Sequence, residues 1–422
     1  MAFAFNYFAQ QSTADMDSLA SVTYENVVVN EDYWKEEENI WVLGSRFHLP
    51  HERALFLEHI KSFLWFTYRK GYTPIGGTGP TSDSGWGCML RCGQMLLARA
   101  LAELTMDKDW KWTEDKPQPP PYKRILHQLS DERSSCYSIH QIAQMGVEEG
   151  KEVGQWFGPN TISQVLRRLS QFDQENVLAI HVAMDNTVCI EDIERLCSTT
   201  PTTQYEGACS STCKPDRTKC NGDSPNVSPT SDDFWRPLLL LIPLRLGLSE
   251  INPVYFTHLK ECLHWKESVG VIGGKPNHAY YFLGCSEDSM IFLDPHTTQP
   301  YVKLPDITSN ERYDDTTFHC DTPGRMLLTN LDPSLALGFI CTTRGSFCDL
   351  CHKVKQMVKT PTSFPLFEVV DRMPQCQVVE SRVLAVKSHR RKDQPIDDNT
   401  CLTLDSDDSL ESEDEFEILD FQ

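Results

Sequence analysis

The chain has no run of about 18 or more apolar residues, the length a helix needs to cross a bilayer. Its start, MAFAFNYFAQQSTADMDS, lacks the basic segment and long apolar stretch of a secretory signal, so a soluble cytoplasmic protein is expected. Basic residues are scarce. Only 39 lysines and arginines face 60 aspartates and glutamates, giving a net charge of −21, which argues against nucleic acid as the principal partner because phosphate binding needs a concentrated basic surface. The scarcity is sharpest from Asp393 to Gln422, where twelve acidic residues occur without one lysine or arginine. A flexible acidic tail over 376–422 is therefore expected. Large aliphatic residues are scarce between 198 and 233, where Ser, Thr, Pro, Asp and Cys prevail, predicting a disordered insertion or an elaborated loop. Residues 1 to about 38 show no sustained period of 2 or 3.6, as expected of a flexible arm.

What remains, roughly 39–375, has the apolar content for one large core or two modest ones; the chain is 40% hydrophobic. Sixteen cysteines in so long a chain without a secretory signal read as mostly reduced thiols, and the Asn226-Val227-Ser228 sequon then reads as a chance match. Residues 53–68 carry apolar groups at helical spacing, followed by a loop rich in glycine and proline from Gly71 to Pro80. From Met89 to Leu104 the chain is apolar on most sides, which predicts a central buried helix interrupted only by Arg91, Gln94, Arg99 and Glu103. A second helix is expected over Thr161–Phe172, capped by Asn160. Leu238–Leu246, Ala279–Leu283, Met290–Leu293 and Leu335–Cys341 read as buried strands. Early helices followed by later strands indicate an α+β layered fold.

Two features carry chemistry. In Ser84-Gly85-Trp86-Gly87-Cys88 two glycines allow a tight turn just before the buried helix, placing Cys88 where unpaired N–H groups and the helix dipole favour a thiolate. A small buried hydrophobe is the alternative reading of any cysteine. At the end of the strand MIFLDPH, Asp294 and His296 lie two residues apart and so face one side, letting the carboxylate orient an imidazole whose other nitrogen faces a thiol. A strand-end Asp-Pro turn with an incidental histidine is the alternative there.

GWGCMLRCGQ from Gly85, WFGPNT from Trp156, GGKPN from Gly273 and FLDPHTTQ from Phe292 together resemble the autophagins, the cysteine proteases of autophagy. The resemblance implies a papain-like fold with a small auxiliary subdomain and a Cys88–His296–Asp294 triad. It implies that Tyr68 helps form the oxyanion hole, that Trp156 covers the entrance to the active site, and that Gly274 and Pro276 lie in a loop that lifts to admit substrate. The implied substrates are ubiquitin-like autophagy modifiers. They are cut after a glycine near their C-terminus to expose it for conjugation, and are later released from phosphatidylethanolamine, so the membrane is met only through the lipidated substrate. A ubiquitin deconjugase and a non-catalytic modifier-binding scaffold are the competing readings.

Weaker signals remain. Cys92 sits one helical turn from Cys88, either as a redox partner or as a small buried residue. Cys209, Cys213 and Cys220, and Cys348-x2-Cys351-His352, have no matching second pair at the spacing of a structural zinc site, so neither metal nor cofactor is assigned. In the acidic tail, Phe416 and Leu419 within Glu415-Phe416-Glu417-Ile418-Leu419 resemble the short motif that docks on autophagy modifiers as an added strand; Tyr24-Glu25-Asn26-Val27 matches it less well.

Overall fold

The computed structural model describes residues 37–357 and 364–373 together with Trp34, apart from 109, 176, 199–234 and 310. The expectations for the acidic tail with Phe416 and Leu419, for the insertion and for most of the arm fall outside those residues. Trp34 itself is buried, its ring 5.1 Å from that of Phe56.

In chain order, the described elements begin with strands β1 (Glu38–Val42) and β2 (Ser45–Leu49), helix α1 (Arg53–Lys61) and the short strand β3 (Tyr68–Lys70). Helices α2 (Cys88–Thr105), α3 (Pro120–Leu129), α4 (Ile139–Met145) and α5 (Pro159–Leu169) follow, then β4 (Ala179–Val182), β5 (Thr187–Cys189) and α6 (Ile190–Ser198). The remainder is strand-rich: β6 (Leu238–Arg245), α7 (Phe256–His264), β7 (Ser268–Lys275), β8 (His278–Cys285), β9 (Ser289–Leu293), β10 (Thr298–Pro300), β11 (Gly324–Leu327), β12 (Ser334–Cys341), α8 (Arg344–Met357) and β13 (Glu368–Val370). The main sheet runs β11-β9-β8-β7-β12-β6-β4, with β1 paired to β8 and β2 to β1. Its pairs are antiparallel except β4 with β6.

The inner strands are continuous apolar runs, LLLLIPLR in β6 and SLALGFIC in β12, because helices cover the sheet and leave almost no solvated positions along them. Helix α2 packs on β7, β8 and β12. Its central place depends on two close approaches: a Cβ on Gly93 would come within 2.5 Å of Ile162 in α5, and one on Gly338 within 3.0 Å of Leu96. Leu90, Leu96 and Leu97 are fully buried, each contributing about 1.5–3 kcal/mol of transfer free energy.

Two local expectations are corrected. The first helix stops at Lys61, well short of 68, because Tyr68 to Lys70 leave the helical path to pair with β10 as a parallel strand. Helix α5 begins at Pro159, with Gly158 and not Asn160 at the cap position. Proline at the first helical position has no N–H to satisfy and a φ already suited to the helix, so it sets the start and leaves Asn160 inside the first turn.

Candidate active site

The turn before α2 is closed by main-chain bonds: Gly87 N–H donates to the Asp83 carbonyl at 2.8 Å and Trp86 N–H to the same oxygen at 3.2 Å. Gly85 adopts φ +86°, and a Cβ on Gly87 would lie 2.3 Å from the Asp83 carboxylate. The turn delivers Cys88 as the first residue of α2, whose N-terminus is capped by no side chain, so the helix end favours a negative charge at that residue.

Asp294 and His296 come together as expected, by a different device. Strand β9 ends at Leu293, so strand alternation does not align them. Instead Asp294 Oδ1 accepts both the His296 backbone N–H at 2.9 Å and Nδ1 at 2.6 Å, folding the Asp-Pro-His segment around one carboxylate oxygen. The backbone is fixed in turn by Trp65, whose indole N–H donates to the Asp294 carbonyl at 2.8 Å, and by Tyr68, whose backbone N–H donates to the Pro295 carbonyl at 2.9 Å. Nδ1 is thereby committed to the carboxylate, while Nε2 is buried, makes no hydrogen bond of ordinary geometry among the described residues, and is left to the Cys88 thiol or a substrate.

The electrostatics agree with that division. Burial pushes the Cys88 thiol up, but the His296 imidazole, the Ala279 backbone N–H and the Tyr68 hydroxyl outweigh it and hold the thiol below its ordinary range. Burial lowers His296, but Asp294 and Cys88 outweigh it and raise the imidazole to about 9. Both shifts favour a thiolate–imidazolium pair, an arrangement able to attack an acyl carbon and protonate its leaving group. The Tyr68 hydroxyl is pushed well up by burial and by the adjacent Cys88, so it stays protonated and able to donate.

An indole lies against the sulfur: the N–H of Trp156 is 3.2 Å from Cys88 Sγ, and Cys88 is 1% exposed although Trp156 itself is 41% exposed. The β7–β8 hairpin meets the sulfur through the Ala279 backbone N–H; in it Gly274 pairs with Ala279 and Lys275 with His278. Its turn is Pro276-Asn277, with Asn277 at φ +67° as a type II turn requires of its third residue. A Cβ on Gly274 would lie 1.8 Å from the His278 carbonyl oxygen, so the hairpin closes only over glycine.

Sequence reasoning missed what lies beneath. Arg91, 1% exposed, reaches Asp83 from Nε and Nη2 at 2.8 and 3.0 Å and Asp131 from Nη1 and Nη2 at 2.7 and 3.3 Å. Asp83 Oδ1 also accepts the Arg69 backbone N–H at 2.7 Å, tying the strand that carries Tyr68 to the turn that carries Cys88. The available signal was an arginine inside an otherwise apolar helix, which is rarely buried unless paired. Cys92 is fully buried and its thiol pushed well above the ordinary range by burial and by Cys88, the environment of an inert thiol. Cys348 is exposed and Cys351 buried on α8; no group of three or more metal-ligating side chains converges among the described residues.

The model of the peptidase C54 catalytic domain matches residues 53–353. This chain belongs to the peptidase C54 family, the autophagins. Cysteine protease ATG4A of Mus musculus is 47% identical over 371 residues, covering 85% of this chain and 89% of the relative. The Homo sapiens ATG4A is 47% identical over 365 residues with the same coverage, and Gallus gallus cysteine protease ATG4B is 46% identical over 359 residues, covering 84% and 90%. The autophagin is thus a papain-like cysteine protease, and no helix among its described residues is long and apolar enough to cross a membrane.

Proposed function

We propose that this protease acts in the cytoplasm on ubiquitin-like autophagy modifiers, cutting after a glycine near their C-terminus and later releasing the same glycine from phosphatidylethanolamine. The observation that carries the reading is the Trp156 indole seated on the Cys88 sulfur, with the Gly274–Ala279 hairpin bonded beside it. A passage between an indole and a hairpin backbone accepts an extended glycine and rejects residues with a Cβ at the scissile position.

In this reading the Cys88 thiolate attacks the glycine carbonyl. The oxyanion is received by the Tyr68 hydroxyl and by N–H groups at the start of α2. His296, held by Asp294, gives its proton to the departing amine as the C–N bond breaks and the thioester forms, then takes a proton from the water that hydrolyses it. Lifting of Trp156 and of the turn at Pro276 precedes all of this. Phe416 and Leu419 in the acidic tail would hold a modifier nearby by strand addition, raising its effective concentration.

The test is cleavage of modifier precursors beside linear ubiquitin fusions, by wild type and by Cys88→Ala. Selective cutting of modifier precursors by wild type alone is expected. Efficient cutting of the ubiquitin fusion would favour the deconjugase reading, and turnover by Cys88→Ala would remove the triad.

A further inference from the structure

The leaving nitrogen must come within hydrogen-bond distance of the His296 imidazole to accept its proton, so the atoms that follow it pass through the surroundings of that ring. Among the described residues three rings adjoin His296: Tyr68 at 5.6 Å, Tyr280 at 5.3 Å and His278 at 5.0 Å between centroids. Tyr68 is occupied with the sulfur, and Tyr280 is 2% exposed. His278 is half-buried at the hairpin tip, beside the exposed turn residues Pro276 and Asn277, and so can meet both the imidazole and an incoming group. Its cross-strand partner is Lys275, and residues directly opposite in an antiparallel pair project on the same face with Cβ atoms about 5 Å apart. His278 thus stands on the hairpin face against the His296 imidazole.

We infer that His278 forms a subsite for an anionic phosphodiester carried by the leaving amine. The inference rests on the modifier-releasing reading above and deepens it. In a phosphoethanolamine amide the phosphate follows the scissile nitrogen by two carbons and an oxygen, which brings it past His296 and onto His278. His278 Nδ1 lies 3.3 Å from the Pro276 carbonyl oxygen, an acceptor, which commits that nitrogen and leaves Nε2 as the one to meet a ligand. An anion there favours the imidazolium and receives a charge-assisted hydrogen bond from it. A peptide leaving group carries no phosphodiester two carbons and an oxygen beyond the scissile nitrogen, so the subsite distinguishes lipid release from precursor processing without altering the covalent steps. Because His278 sits on the hairpin that meets Cys88 through the Ala279 N–H, the same contact draws that hairpin toward its seated position around a headgroup.

The test compares two soluble conjugates of one modifier, its C-terminal glycine joined to glycerophosphoethanolamine or to plain ethanolamine, so that neither membrane nor acyl chain enters. For the wild-type full chain the kcat/KM ratio of the first to the second is expected to be about tenfold, the range of one charge-assisted bond. In His278→Gln the ratio should fall close to one, while His278→Lys, which restores a cation, should keep most of it. The ratio is internal to each enzyme, so partial loss of folding in a variant leaves it readable. A wild-type ratio near one, or a His278→Gln ratio equal to that of wild type, would overturn the subsite. Failure of the wild type to cut either conjugate would remove the modifier-releasing reading and the subsite with it.

Discussion

Removing the Arg91 guanidinium tests how the active site is held. In Arg91→Ala the fully buried Asp83 and the 8% exposed Asp131 lose a cation that makes four hydrogen bonds to them, all of 3.3 Å or less. Burial already pushes the Asp83 carboxyl up against the pull of Arg91, so without the guanidinium Asp83 must take a proton or stand as an uncompensated charge. Breaking a buried ion pair from one side costs about 3–5 kcal/mol. For about 300 ordered residues at roughly 2.1 cal/mol/K each, that lowers the melting temperature by about 5–8 °C. The damage should also reach the chemistry, because Asp83 joins the Tyr68 strand, through the Arg69 N–H, to the turn before Cys88. Arg91→Lys keeps the charge without the planar fork and should fall between the two. Scanning calorimetry together with kcat at a temperature where each variant is fully folded separates stability from positioning. A melting temperature within about 1 °C of wild type for Arg91→Ala would refute the reasoning, since solvated carboxylates would then have replaced the pair at no cost.

Other perturbations read the site directly. Cys88→Ser and His296→Ala should each abolish turnover of a modifier precursor while leaving its binding measurable by titration, since the nucleophile and base contribute more to the chemistry than to recognition. Trp156→Ala should speed alkylation of Cys88 by iodoacetamide several-fold, followed by mass spectrometry, because the indole seated on the sulfur would be gone. With Cys88 lowered and His296 raised to about 9, kcat/KM should follow a bell, falling at low pH as the thiolate is protonated and at high pH near 9 as the imidazolium loses its proton. The raised imidazole stabilises the folded chain fully below its unfolded value of about 6.5, and that contribution is lost as pH rises toward about 9, so the stability difference between wild type and His296→Ala should shrink across that window. Phe416→Ala with Leu419→Ala should weaken modifier binding in a titration while small-peptide cleavage is unchanged.

The sequence disclosed what depends on short range. The glycines before Cys88 and the run of helix formers after it required only local reasoning, and the apolar strand runs announced a sheet covered by helices. Asp294 and His296 were legible as a pair because they lie two residues apart, but the joining device was not, since it depends on where β9 ends. The partners of Arg91 are contributed by Asp83, eight residues before it, and Asp131, forty after it, and nothing in the spacing selects those carboxylates among sixty acidic residues. His278 is nearer the base than any reading of the GGKPN segment suggests, because only the tight β7–β8 turn brings it there. Asn160 looked like a cap, yet Pro159 beside it had already fixed the helix start.

The three-residue ribbon β3 has a mechanical meaning. Through Tyr68 N–H it grips the Asp-Pro-His segment, through its parallel partner β10 it grips the chain just after that segment, and through Arg69 N–H it grips Asp83 and so the turn before Cys88. Cys88, His296 and Tyr68 are thus tied to one short rod by bonds from its backbone N–H groups, and none of those ties is made by Trp156 or the Pro276 turn. In the proposed reading, Trp156 and the Pro276 turn lift while the reacting groups keep their spacing. Hydrogen exchange should therefore find the amides of 68–70 among the last to open and those near 156 and 276 among the first, a separation of clocks that lets one protein be tightly shut and still ready to react.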